Sequence, residues 1–68
     1  MLTITYDREA DGRWIAEIQA IPGCMAYGST QAAAAAAVES LALRICADRI
    51  DHGEPVPVEL DHLFTAAP

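Results

Sequence analysis

The chain has 68 residues, 53% of them hydrophobic, and carries ten acidic residues against four arginines, for a net charge of −6. A chain this short has room for one thin-cored domain, because a domain of about 60 residues buries only about 60% of its unfolded surface. The shortage of cations excludes the basic stripe with which most nucleic-acid-binding proteins neutralise phosphates, and the acidic excess favours a basic protein partner.

The first part of the chain has the alternating pattern of β-strands. Leu2–Tyr6 predicts a first strand, and Asp7–Gly12 predicts a hairpin turn because its Asp-Gly end accepts a positive φ. Arg13–Ile21 predicts a second strand, and after the Pro22-Gly23 corner Cys24–Tyr27 predicts a third. One face of the second strand is expected to hold Trp14, Ala16, Ile18 and Ala20.

The following segment predicts one long helix. Thr30 is the candidate N-cap, with Ser29 as the alternative, and the six alanines Ala32–Ala37 have the highest helix propensity. The helix is expected to end near His52, because the next residue is a glycine, which adopts left-handed conformations, and a proline follows within three residues.

Helical stepping sorts the apolar residues of this helix into two groups. The first is a stripe that is sufficient to cover one sheet, and the second is a neighbouring patch that needs another cover, either the tail of the chain or another subunit. The stripe comprises Ala34, Val38, Leu41, Ala42 and Ile45, and the patch comprises Leu43, Cys46 and Ile50.

The C-terminal segment Val56–Leu60 alternates and is compatible with a short fourth edge strand, since Pro57 is tolerated only at an edge. The predicted organisation is an α/β domain at residues 1–58 and a C-terminal tail at residues 59–68. The predicted fold class is therefore α+β, a three-stranded antiparallel sheet packed by one long helix.

No group of residues has the spacing of a catalytic, cofactor or metal site. His52 and His62 are separated by nine residues, without the i,i+4 spacing of a helical histidine pair. Cys24 is expected to be a packed thiol, because a nucleophile needs a neighbouring base. The two cysteines indicate no disulfide framework, and no segment has the pattern of a signal peptide or membrane span. The expectation is a cytoplasmic protein that is not an enzyme.

Four short motifs follow one another along the chain in an order that is characteristic of a known family. They are Asp11–Ile18 (DGRWIAEI), Ile21–Cys24 (IPGC), Gly28–Thr30 (GST) before the alanine-rich helix, and Gly53–Pro57 (GEPVP) after it. In this order they resemble the HicB antitoxin family over roughly residues 1–58. The resemblance implies a partial double-stranded-RNA-binding-domain-like fold, association as a dimer or tetramer, and binding to HicA, a small basic ribonuclease toxin, which HicB-type proteins block.

The chain departs from the usual pattern of that family at three places. Ala20 stands where an acidic residue is usual, and alanines replace the glutamates of the first helical turn. About ten residues follow Pro57, too few for the C-terminal DNA-binding segment that is common in the family. Toxin binding is therefore the expected activity, and direct nucleic-acid binding is not expected.

Three hypotheses follow, with one set of candidate contact residues. The first is a HicB-like interaction domain that neutralises a basic toxin, the second is a homo-oligomer without a toxin partner, and the third is RNA binding by analogy of fold, which the missing basic face disfavours. No membrane partner is expected. The residues expected at a partner or subunit interface are Trp14, Tyr27, Leu43, Cys46 and Ile50.

Overall fold

The computed structural model describes residues 1–68 and shows an open three-stranded sheet followed by one long helix. Both strand pairings are antiparallel, and β2 lies in the centre, so the predicted α+β class is confirmed. The elements are β1 (Thr5–Arg8), β2 (Trp14–Glu17), β3 (Met25–Gly28), α1 (Gln31–Asp51) and a 3-10 helix (Val58–His62).

β1 and β2 are shorter than the alternating pattern predicts, and β3 has the predicted length but is shifted by one residue. β2 ends at Glu17 because the next seven residues form a compact turn, in which the Ile18 N–H donates to the Cys24 carbonyl over 3.0 Å and the Ile21 N–H donates to the Ile18 carbonyl over 3.1 Å. Thr5 opposite Glu17 is consequently the last pair of β1 and β2. The apolar residues before Thr5 have no strand to pair with, so β1 begins three residues later than predicted.

Both ends of α1 are capped as the sequence predicts. The Thr30 hydroxyl accepts the Ala33 N–H over 3.0 Å, and no acidic residue of the first turn assists it. At the other end Gly53 has φ +69°. Its N–H donates to the Ile50 carbonyl over 3.1 Å and the following N–H donates to the Arg49 carbonyl over 2.8 Å, which is the Schellman arrangement.

The core lies between α1 and the inner face of β2 and β3. Gly28 allows this close approach, since a Cβ at that position would lie 2.3 Å from the Ala34 nitrogen. Eight residues are buried, most of them small, and they are Ala16, Ile18, Ile21, Cys24, Ala34, Val38, Ala42 and Cys46.

The assignment of Cys46 to the exposed patch of the helix is wrong. Its side chain is 2% exposed and belongs to the core. The reason is helical geometry: Cys46 is four residues after Ala42 and eight after Val38, so it shares their line along the helix. Leu41 and Ile45, which the sequence places in the central stripe, are half-buried at its flank.

The C-terminal segment forms a 3-10 helix, and the predicted fourth strand is absent. The Leu60 N–H donates to the Pro57 carbonyl over 3.0 Å and the Leu63 N–H donates to the Leu60 carbonyl over 3.1 Å, so these backbone groups are satisfied locally. Val56 and Leu60 pack against the core. The 3-10 helix spans the predicted boundary between domain and tail at residue 58.

Candidate interaction surfaces

The chain exposes more surface than a compact protein of its size. Its accessible surface is 4944 Å², whereas a compact monomer of 7.3 kDa is expected to expose about 4,200 Å². The radius of gyration is 13.8 Å, against about 11 Å for a compact domain of this length. Large apolar side chains supply part of the excess, and those exposed are Met1, Tyr6, Met25, Tyr27, Leu43, Ile50, Val58, Leu63 and Phe64.

One apolar concavity lies between α1 and the inner side of the N-terminal segment. The helix packs chiefly on β2 and β3, so Leu2 and Ile4 are only half-buried. Leu43 stands at the edge of this concavity and is 67% exposed. We call it the groove surface, and its lining residues are Leu2, Ile4, Ile18, Glu39, Ala42 and Leu43.

A smaller apolar depression lies beside the end of α1. Ile50, 55% exposed, lines it together with Val56, Leu60 and Phe64. Leu43 and Ile50, two of the residues that the helical pattern predicts to need a cover, are therefore exposed on the helix. The tail does not cover Leu43, and it covers Ile50 only in part.

The outer face of the sheet carries a second kind of surface. Register places Ile15 beside Tyr27 and Glu17 beside Met25 on the side away from α1. A shallow concavity on this side brings apolar and acidic side chains together. We call it the acidic sheet face, and its residues are Asp7, Glu9, Ile15, Glu17, Met25 and Tyr27, with Thr5 and Tyr6 at its edge.

The three carboxylates of the acidic sheet face have no ion-pair partner. The chain contains one ion pair with an arginine, Asp11 with Arg13, and a contact between Asp48 and His52 that is an ion pair only when the histidine is protonated. Asp7 accepts the backbone N–H of Arg8 over 2.8 Å, which leaves its charge uncompensated by a cation. The face therefore combines an apolar centre with unpaired negative charge.

The two candidate aromatic contact residues lie on opposite faces of the sheet. Trp14 is half-buried on the inner face and packs against the core, with the Arg8 guanidinium 5.3 Å from its ring centroid. Tyr27 is 49% exposed on the outer face. Of this pair, Tyr27 is the one placed to meet another molecule.

An arginine already occupies the edge of the outer face. The Arg13 guanidinium lies 4.5 Å from the Tyr27 ring centroid, within the range of a cation–π contact, and its Nε donates to the Asp11 carboxylate over 2.8 Å. The same carboxylate accepts the backbone N–H of Arg13 over 3.0 Å. These bonds lower the pKa of Asp11, the backbone bond having the larger effect.

Cys24 is fully buried, and its thiol lies 3.7 Å from the Val38 carbonyl, in position to donate to it. Burial raises the pKa of the Cys24 thiol, and the neighbouring Cys46 raises it further. A raised pKa makes the reactive thiolate scarcer. The environment of Cys24 is that of a packing residue.

Three exposed side chains at the end of α1 have atoms that metals can bind. The nearest such atoms of Asp48, His52 and Glu54 lie within 4.8 Å of one another. The sequence signal is the i,i+4 spacing of Asp48 and His52, which a search for paired histidines misses. His52 Nδ1 lies 2.7 Å from the Asp48 carbonyl, and all three side chains are exposed, an arrangement that is common among surface groups that bind no metal.

Compared with family models, with curated proteins and with solved structures, the chain matches none. The features that point to a function are consequently its sequence motifs, the groove surface and the acidic sheet face. Its helices are also too short or too polar to cross a lipid bilayer.

Proposed function

We propose that the chain is an antitoxin-type interaction domain of the cytoplasm that binds and neutralises a small basic ribonuclease toxin of the HicA type. The observation that carries this proposal is the excess of exposed surface over a core of eight mostly small residues. Large apolar side chains supply part of that surface, and burying them against a partner is favourable. The order of the HicB-like motifs supports the choice of partner.

Electrostatics favours a basic partner. The net charge of −6 raises the rate of encounter with a cationic protein and disfavours acidic competitors. The same charge also serves solubility, so it supports the proposal only together with the exposed apolar surfaces. Charge therefore accelerates the encounter of the two proteins, and apolar contacts stabilise the complex once it has formed.

The test is co-expression with a small basic ribonuclease toxin of the HicA type, taken from an adjacent gene where one is encoded there. We expect the two proteins to purify as one complex and growth to be restored when the basic protein is toxic by itself. A control uses the Val38→Asp variant, which buries a carboxylate in the core and should abolish both effects by unfolding. Absence of a complex together with unrelieved toxicity would contradict the proposal.

A homo-oligomer is the second candidate function, and the groove surface favours it. An apolar groove beside an exposed Leu43 offers both a recess and a protruding side chain on one molecule, as a two-fold interface requires. Sedimentation of the purified chain decides this: a tight dimer or tetramer supports it, and a monomer at every concentration rejects it. Both functions are compatible, because the groove surface and the acidic sheet face lie on opposite sides of the sheet.

A further inference from the structure

Building on the proposed binding function, we propose that the acidic sheet face is the docking surface for the partner and that it receives arginine side chains of a basic polypeptide segment. The groove surface has no part in recognising the basic partner.

The centre of this face is apolar and about half exposed. Ile15 is half-buried, while Met25 and Tyr27 are 47% and 49% exposed. The helix occupies the opposite face of the sheet, and the Arg13 guanidinium covers part of the Tyr27 ring. Aromatic and methionine side chains at the centre of a patch are typical of protein interfaces.

Unpaired negative charge lies around that apolar centre. Asp7, Glu9 and Glu17 surround the apolar side chains, and none of them pairs with an arginine of the chain. Glu17 is half-buried, so its charge is less screened by solvent than that of a fully exposed side chain. An incoming cation therefore gains attraction without displacing an existing ion pair.

Charge distinguishes between the possible occupants of this face, which are a second copy of the chain, a nucleic acid and a basic polypeptide. A second copy docked on the same face through a two-fold axis would set three unpaired carboxylates against three others, and a nucleic acid would bring phosphates to them. Both arrangements place like charges together, which costs binding energy. A basic polypeptide is the occupant whose charge complements this face.

The chain itself contains an arginine bound in the way that we propose for the partner. Arg13 lies over the Tyr27 ring while its guanidinium is bonded to a carboxylate. The rest of the face repeats this combination, with carboxylates beside exposed apolar side chains. A partner arginine is thus expected to stack on the apolar centre and to bond to Asp7 or Glu17, since the guanidinium suits both contacts.

The experiment follows backbone amide shifts of the ¹⁵N-labelled full chain during titration with a synthetic peptide of alternating arginine and leucine. We expect saturable shifts at Ile15, Met25 and Tyr27, weakened by high salt, and none at Leu43. The same peptide with citrulline in place of arginine removes the charge and should bind at least tenfold more weakly. Shifts centred on Leu43, or equal binding of both peptides, would overturn the assignment.

Matched variants test the carboxylates. Asp7→Asn combined with Glu17→Gln should weaken peptide binding about fivefold to tenfold, because each exposed ion pair contributes a modest amount. Asp51→Asn combined with Glu54→Gln removes the same charge from exposed positions at the end of the helix and should change binding less than twofold. If the double variant unfolds, Asp7→Asn alone, at an exposed position, still measures the contribution of a carboxylate of this face to peptide binding. Equal weakening by the two double variants would reject a localised site.

The same variants separate this inference from the function on which it rests. If the complex with the HicA-type toxin survives Asp7→Asn/Glu17→Gln but is lost in Leu43→Asp, the binding function stands and the docking face is wrong. If the peptide maps to the acidic sheet face while no HicA-type toxin binds, the docking face stands and the antitoxin function is wrong.

Discussion

Gly28 is the residue at which the sheet and the helix come closest, and its replacement should be the most costly single methyl addition in the chain. In Gly28→Ala the new Cβ would lie 2.3 Å from the Ala34 nitrogen and 2.8 Å from the Ala33 carbonyl carbon. Both are backbone atoms, so relief requires α1 to move. We expect a loss of about 3 kcal/mol in unfolding free energy, at the upper end of ordinary overpacking, measured by urea denaturation.

Gly12→Ala is the matched control for this prediction. Gly12 has φ +91° and nothing within 4 Å of an added Cβ, so its substitution tests conformational strain without a steric clash. The expected loss is about 1–2 kcal/mol. A Gly28→Ala variant that is no less stable than Gly12→Ala would show that the strand and the helix are not in close contact.

At the scale of single elements, the exposed side of α1 should tolerate charge without unfolding. Leu43→Asp places a carboxylate at a site that is 67% exposed, whereas Val38→Asp buries one in the core. We expect Leu43→Asp to keep its helical circular dichroism and to lose less than about 1 kcal/mol, while any self-assembly through the groove surface is abolished in sedimentation. Unfolding of Leu43→Asp would place Leu43 in the core instead.

The ends of the helix could be predicted from the sequence, and the ends of the strands could not. The N-cap at Thr30 and the C-terminal glycine at Gly53 were predictable because each depends on a few neighbouring residues. The ends of β1 and β2 were not, because pairing stops where the turn after Glu17 removes the partner strand. The burial of Cys46, by contrast, was predictable from the sequence, because its spacing of four and eight residues from Ala42 and Val38 places it on the stripe that faces the sheet.

The candidate surfaces depend on the arrangement of several elements relative to one another. The sequence predicts that Leu43 and Ile50 need a cover, and the structure leaves both exposed. It did not predict the acidic sheet face, because Asp7 and Glu17 come together with Met25 only through the register of all three strands. The turn in which the Glu9 N–H donates to the Arg13 carbonyl over 2.8 Å sets the register of β1 and β2, and the turn in which the Ile18 N–H donates to the Cys24 carbonyl over 3.0 Å sets that of β2 and β3.

For the whole molecule, the thin core predicts that stability depends on a bound partner. Eight buried residues leave a domain of this size marginally stable, and a ligand that binds only the folded state adds about 2.7 kcal/mol at a concentration of 100 Kd. In a domain of this length that corresponds to a rise in Tm of about 10–20 °C. Calorimetry with and without the basic partner measures this rise, and a series of concentrations of the chain alone measures the part due to self-association. A Tm that is insensitive both to the partner and to the concentration of the chain would mean that the small core suffices by itself, and the proposal of an interaction domain would lose its main support.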